Sequence, residues 1–169
     1  MVRICGDDAR MIVKGLLDED FVNYKKPSMV IMFSTCSFKC DKECGMQVCQ
    51  NSALATAPGI EISYERIVSR YLENEITSAI VFAGLEPLDD ILDVIALIKL
   101  FREKGCNDDI VIYTGYTEDE VATIIRFSDL KQYSPIIIKY GRFVPNSTSH
   151  FDEILGVILK SENQYAKEI

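Results

Sequence analysis

Six cysteines stand in a chain of 169 residues, and four of them crowd one short stretch. That stretch reads Cys36-Ser-Phe-Lys-Cys40-Asp-Lys-Glu-Cys44-Gly-Met-Gln-Val-Cys49-Gln-Asn. Thiolates are soft ligands that suit iron–sulfur clusters or zinc. A loop with several cysteines can wrap a cluster, because the backbone turns between them while each sulfur points inward and nearby N–H groups hydrogen-bond the sulfides. Zinc competes on spacing alone, although the paired C-x-x-C halves of structural zinc sites are absent. Disulfides fit less well: MVRICGDDAR places acids where a signal peptide would need its apolar stretch, which predicts a cytoplasmic chain with reduced thiols. Cys5 and Cys106 have no companions and read as buried or incidental thiols.

How many thiolates reach the metal decides the chemistry. A cluster held by all four cysteines mainly transfers electrons. Three thiolates leave one iron open to a ligand, as catalytic zinc keeps a free position. Two other short segments could serve such a site. Gly84-Leu85-Glu86-Pro87 places a carboxylate at the end of a strand. A plain strand-to-helix turn, with proline opening the helix, accounts for the same residues. Thr114 and Gly115, in Tyr113-Thr-Gly-Tyr-Thr117, could line a ligand pocket or simply form a turn before a helix.

The elements that must position these loops alternate. Ser28–Ser34 reads as a buried strand, and the cysteine stretch leaves its C-terminal end. A helix is expected from Ser63, with Ile67, Val68, Tyr71 and Leu72 on one face. Ser78–Gly84 reads as a second strand, followed by a helix from Pro87 to Gly105 that is apolar on more than one side. Asp109–Gly115 and Pro135–Gly141 read as third and fourth strands. Between them Thr117 and Glu120 have the spacing of a capping box, opening a helix through Ile124 and Ile125. The tail after Pro145 carries ILGVIL, which could add an edge strand. Strand–helix alternation predicts right-handed βαβ units and a parallel sheet. Ligands of such sheets collect at the C-terminal ends of the strands. The cysteine loop, the Glu86 turn and the Thr114–Gly115 turn therefore belong on one rim.

Taken together, these segments resemble the radical S-adenosylmethionine (SAM) superfamily. Cys36-x-x-x-Cys40 is similar to the start of its cysteine signature, and Gly84-Leu-Glu-Pro87 to its GGEP motif, with Leu85 in place of the second glycine. Tyr113–Thr117 resembles the YTGYT segment of the small activating enzymes of anaerobic ribonucleotide reductase. Gly141-Arg142-Phe143 and Asn163-Gln164 resemble their closing region. The superfamily's third cysteine would fall at position 43, which is Glu43. Cys44 and Cys49 both remain candidates, and Cys49 is preferred because Gln50-Asn51 follows it, similar to the Cys-His-Asn of those activases.

The resemblance implies a single-domain α/β fold spanning 1–169, a shortened (βα) TIM-like barrel with a mostly parallel sheet. It implies a [4Fe–4S] cluster on Cys36, Cys40 and Cys49, and S-adenosyl-L-methionine contacted by Gly84, Glu86, Thr114 and Gly115. The implied reaction is reductive SAM cleavage to a 5′-deoxyadenosyl radical. Its target would be a glycyl-radical enzyme resembling anaerobic ribonucleotide reductase, with flavodoxin or ferredoxin as electron donor. The rival reading is a non-enzymatic iron–sulfur or zinc protein that uses the clustered cysteines for electron transfer or structure.

Composition narrows the partners. The net charge is −8 with no basic stripe, which disfavours nucleic acid. No apolar run reaches the length of a membrane span. His150, the only histidine, reads as a surface or structural residue; Arg142 could bind a carboxylate in the pocket or a partner's backbone, with a solvated arginine as the default. Asp89, Asp90 and Asp93 read as the outer N-terminal face of a helix, complementing its dipole.

Overall fold

The computed structural model describes residues 9–169; Cys5 lies outside them. Four short apolar segments form the parallel centre of a seven-stranded sheet: β2 (Ser28–Phe33), β4 (Ala79–Gly84), β5 (Asp109–Tyr113) and β6 (Ile136–Tyr140). Each is apolar on both sides, as strands covered on both faces must be. Three antiparallel strands extend the sheet: β1 (Arg10–Asp20) beside β2, β3 (Ile60–Ser63) outside β1, and β9 (Tyr165–Glu168) beside β6. The order is β3-β1-β2-β4-β5-β6-β9, so the two edges do not meet. The barrel-like closure expected from the family resemblance is therefore replaced by an open mixed sheet. Antiparallel strands at both flanks extend the parallel centre without closing it.

The two faces of the sheet differ. Met29, Ile31, Phe33, Ile80, Phe82, Ile110, Ile112, Ile136 and Ile138 belong to the large core. Against them pack α3 (Tyr64–Leu72) and α4 (Ile91–Glu103), through Ile67, Val68, Tyr71, Val94, Leu97, Ile98 and Phe101. The alternate residues Val30, Val81, Val111 and Ile137 face a smaller core with Tyr24, Leu155, Leu159 and Ala166. That face is partly covered by a hairpin of β7 (His150–Asp152) and β8 (Val157–Leu159). Where this cover ends, at the C-terminal ends of the parallel strands, a cavity opens.

Local chemistry explains most element ends. Ser63 caps α3 by accepting the Arg66 N–H at 3.2 Å. The capping box of α5 (Glu118–Ala122) is complete, Thr117 and Glu120 each accepting from the other's backbone. That helix stops at Ala122, short of the expected reach, and Ile125 is 84% exposed. Leu72, expected on the buried face of α3, is 47% exposed. Pro87–Asp90 forms a tight 3-10 turn before α4. The ILGVIL segment supplies β8, which pairs with β7 rather than with the main sheet.

Candidate metal and ligand site

The cysteine loop leaves β2 and is tied down at its start, middle and end. At its start, Glu86 N–H donates to the Thr35 carbonyl at 2.8 Å, and Ser37 N–H donates to Asp89 Oδ2 at 2.8 Å. Asp89 also accepts the Tyr116 hydroxyl, which lies 3.3 Å from Ser37 Oγ. A short helix, α1 (Lys39–Cys44), follows and buries none of its residues. Asp41, on α1, accepts both the Val48 N–H at 2.7 Å and the Cys49 N–H at 2.8 Å. This folds the loop back on itself. Asn51 then donates to the Gly84 carbonyl at 2.7 Å, before α2 (Ser52–Thr56).

The consequence is a sorting of the four thiols. Cys36, Cys40 and Cys49 line one cavity of about 410 Å³, while Cys44 does not line it and is exposed. Burial pushes the Cys36 thiol up to about 11 and also raises Cys40, so in the absence of a metal these two hold their protons. Among the described residues, no three His, Cys, Asp or Glu side chains converge as the ligands of a single ion. The three thiols stand around a space instead. Three soft thiol donors on one cavity wall suit an iron–sulfur cluster or zinc.

Gly84, Glu86, Thr114 and Gly115 line the same cavity, so the three loops expected on one rim do meet. Gly84 adopts φ +90°, and a Cβ there would sit 2.8 Å from Met32 Cα and Phe33 N. The glycine is thus required by the neighbouring strand, whatever occupies the cavity. Glu86 is 6% exposed. Its Oε1 accepts the Thr114 hydroxyl at 2.7 Å and the Leu88 N–H at 3.2 Å, and Oε2 accepts the Gly115 N–H at 2.9 Å. Burial nevertheless raises its pKa to about 7, against the pull of those donors. Glu86 caps the 3-10 turn and faces the cavity at once, so the two readings of this motif are compatible. Thr114 spends its hydroxyl on Glu86, which makes it a support for that carboxylate.

Residues that sequence reasoning had placed elsewhere complete the wall. Arg142 is not solvated: it is 8% exposed, lines the cavity, and its Nη2 reaches Glu120 at 2.7 Å and Glu43 at 3.3 Å. Asp89 and Asp93 are not a free acidic face. Asp89 anchors the cysteine loop, and Asp93 accepts the Tyr64 hydroxyl at 2.7 Å. Lys139, on β6, is buried against the cavity; only a lysine inside an otherwise apolar strand could have signalled it. Asp41 carried no sequence signal beyond its place between cysteines.

Asn163 and Gln164 meet the Gly141 loop. Asn163 Nδ2 donates to the Arg142 carbonyl at 2.9 Å and Gln164 Nε2 to the Gly141 carbonyl at 3.3 Å. Gly141 adopts φ +95°, where a Cβ would come within 2.6 Å of the Asn163 carbonyl. His150 lies in β7 and is half-buried, with Nδ1 lacking a partner. Cys106 is buried at the opposite end of β5, its sulfur 3.8 Å from Asp108 Oδ2. Among the described residues, no helix is long and apolar enough to cross a membrane.

Neither the curated proteins nor the solved structures contain a match to this chain. A family model does match, described as a 4Fe-4S single cluster domain, over residues 27–164. The matched span takes in all four clustered cysteines, the Glu86 turn, the Thr114–Gly115 turn and the Asn163-Gln164 closure. By that match, and with soft donors set around a cavity of suitable kind, the chain belongs to the 4Fe-4S single cluster domain family.

Proposed function

We propose that this protein is a radical-SAM enzyme of the glycyl-radical activating type. The observation that carries the reading is the sorting of the thiols: Cys36, Cys40 and Cys49 on the cavity wall, Cys44 outside it. Three protein thiolates would hold a [4Fe–4S] cluster with one iron free for a ligand. When bound, that cluster would supply the electron that splits the SAM sulfonium into methionine and a 5′-deoxyadenosyl radical.

The chain's own residues then have separable tasks. Asp41 and Asn51 hold the third cysteine and the loop's end against the sheet. Glu86, pre-positioned by Thr114 and the Gly115 N–H, presents a carboxylate to the ammonium of SAM. An incoming ammonium would favour its ionised form, against the burial that raises its pKa to about 7. Val30, Met32, Ala83 and Tyr113 give the cavity an apolar floor that limits water around a reactive radical.

The mouth supports a macromolecular target. Leu17, Val22 and Ile158 line the cavity yet are 42%, 73% and 68% exposed. Ile158 pairs across its hairpin with Phe151, itself 60% exposed. Exposed apolar residues around a site mark a docking surface. A docked glycyl-radical enzyme would seal the cavity and bring a glycine Cα–H to the radical. Flavodoxin or ferredoxin would serve as electron donor.

The test is electron paramagnetic resonance on the reduced, SAM-loaded protein mixed with an anaerobic ribonucleotide reductase. A carbon-centred doublet that requires SAM, reductant and Cys36 is expected. SAM cleavage without that doublet on any glycyl-radical partner would sink the activating role. A cluster held by all four cysteines and inert toward SAM would favour electron transfer instead.

A further inference from the structure

Lys139 is a buried cation that the fold itself does not require. It sits within Ile136–Tyr140, a strand whose residues are all buried, and it is 6% exposed. An ammonium out of water is costly unless it is paired. Its Nζ donates to the Gly141 carbonyl at 2.8 Å, but Gln164 Nε2 also donates to that carbonyl, at 3.3 Å. The carbonyl therefore has a partner without the lysine. Among the described residues Lys139 forms no ion pair with any carboxylate. It shares one cavity of about 410 Å³ with Cys36, Cys40 and Cys49.

The other charges around the thiols are neutralised, exposed or negative. Arg142, on the same wall, is paired through Nη2 with Glu120 and Glu43. Lys160 lines the cavity but is exposed, so water screens it. Asp41, Glu86 and Asp89 surround the cysteine loop and accept hydrogen bonds without forming an ion pair. Each of these carboxylates opposes the arrival of further negative charge. Of the cations lining the cavity, Lys139 is the one that is both buried and without a carboxylate partner. The potential of an iron–sulfur cluster is set by the net charge, hydrogen bonds and exposure around it. A fixed unit charge within about 10 Å shifts an equilibrium about tenfold at the effective dielectric of a protein.

We infer that Lys139 is the counter-charge of the iron–sulfur cluster bound in this cavity, and that its ammonium raises the potential at which the cluster accepts an electron. One electron passes from an external one-electron donor to the cluster, which becomes more negative by one unit. No bond forms or breaks in that step. A fixed cation beside the cluster stabilises the reduced form more than the oxidised form. The inference goes beyond the SAM reading and does not rest on it, since it requires the cluster alone.

The test is a redox titration of the anaerobically reconstituted protein without SAM, with the reduced cluster followed by electron paramagnetic resonance. Lys139→Met keeps the length of the side chain and removes its charge. Its reduction equilibrium should fall about tenfold or more, a shift of about 59 mV or more toward negative potential for one electron. Lys139→Gln keeps an N–H donor but no charge, and should shift in the same direction. Lys139→Arg should return the potential toward that of the wild type. Iron and sulfide content shows which variants carry the cluster, and Lys139→Gln decides if Lys139→Met does not load. Loading by Lys139→Arg alone would also support the counter-charge. An unchanged or more positive potential in either loaded neutral variant would overturn it. Failure of all three variants to load would overturn it too, by making the lysine a structural requirement. Because no SAM is present, a protein that holds its cluster but never cleaves SAM still gives a decisive result.

Discussion

Asp41→Ala tests the side-chain contact that holds the Cys49 backbone. Asp41 Oδ1 accepts two backbone N–H groups, from Val48 at 2.7 Å and Cys49 at 2.8 Å. A hydrogen bond to a charged acceptor contributes about 1.5–3 kcal/mol net when buried. Asp41 is half-exposed, so water replaces part of that in the variant. For the pair together, about 2–3 kcal/mol is a reasonable loss for the closed loop, or roughly a 30- to 150-fold fall in its population. Because α1 buries no residue, the rest of the fold should hardly notice. The variant should therefore surrender its cluster at a far lower chelator concentration than the wild type, measured as iron and sulfide retained. The cluster-free chains should unfold at nearly the same temperature. Wild-type cluster retention in Asp41→Ala would refute the placement of Cys49 by this carboxylate. A large drop in the unfolding temperature would show that the loop is instead part of the core.

Three further outcomes follow from the same geometry. Cys36→Ala, Cys40→Ala and Cys49→Ala should each lose stable iron and sulfide after anaerobic reconstitution, whereas Cys44→Ala should keep them; loss in Cys44→Ala alone would reverse the ligand set. Gly84→Ala should destabilise the chain by several kcal/mol in denaturant titration, combining about 1–2 kcal/mol for an alanine forced to positive φ with about 1–3 kcal/mol for overpacking against Met32 and Phe33. A loss below about 1 kcal/mol would mean that the strand junction yields easily. Lys139 has its pKa lowered by burial from 10.5 to about 8, so between those values the unfolded chain binds the extra proton. Stability of the cluster-free protein should therefore rise with pH across about 8 to 10.5, and below pH 8 the buried charge costs about 3 kcal/mol. Lys139→Met should remove that slope and stabilise the protein at pH 7, read from chemical denaturation at a series of pH values.

The parallel centre of the fold was legible because each of its strands is a short apolar run ending in a turn, from Ser28 to Gly141. The flanking strands were not. In β1, Met11, Ile12 and Val13 are consecutive apolar residues, yet Ile12 is 55% exposed, and register shifts interrupt the pairing with β2. The expected alternation is hidden. In β9 only Ala166 is buried, and the strand is held by its backbone ladder to β6, which leaves no hydrophobic pattern to read. The rim was legible for a topological reason, since parallel strands deliver their following loops to one end. The preference for Cys49 over Cys44 rested on resemblance alone, because the physical cause of their sorting is Asp41 reaching two N–H groups that lie seven and eight residues along the chain. Arg142 and Lys139 were misjudged or missed for one reason: charged residues default to solvent unless a cavity gives their donors somewhere to point.

The most direct measurement of the central claim is the yield of 5′-deoxyadenosine from the anaerobically reconstituted, reduced protein supplied with SAM. A three-thiolate cluster beside Glu86 predicts that the nucleoside forms with methionine in equal amounts. It should vanish in Cys49→Ala and persist in Cys44→Ala. A protein that loads a full complement of iron and sulfide, accepts an electron, and leaves SAM intact would contradict the account.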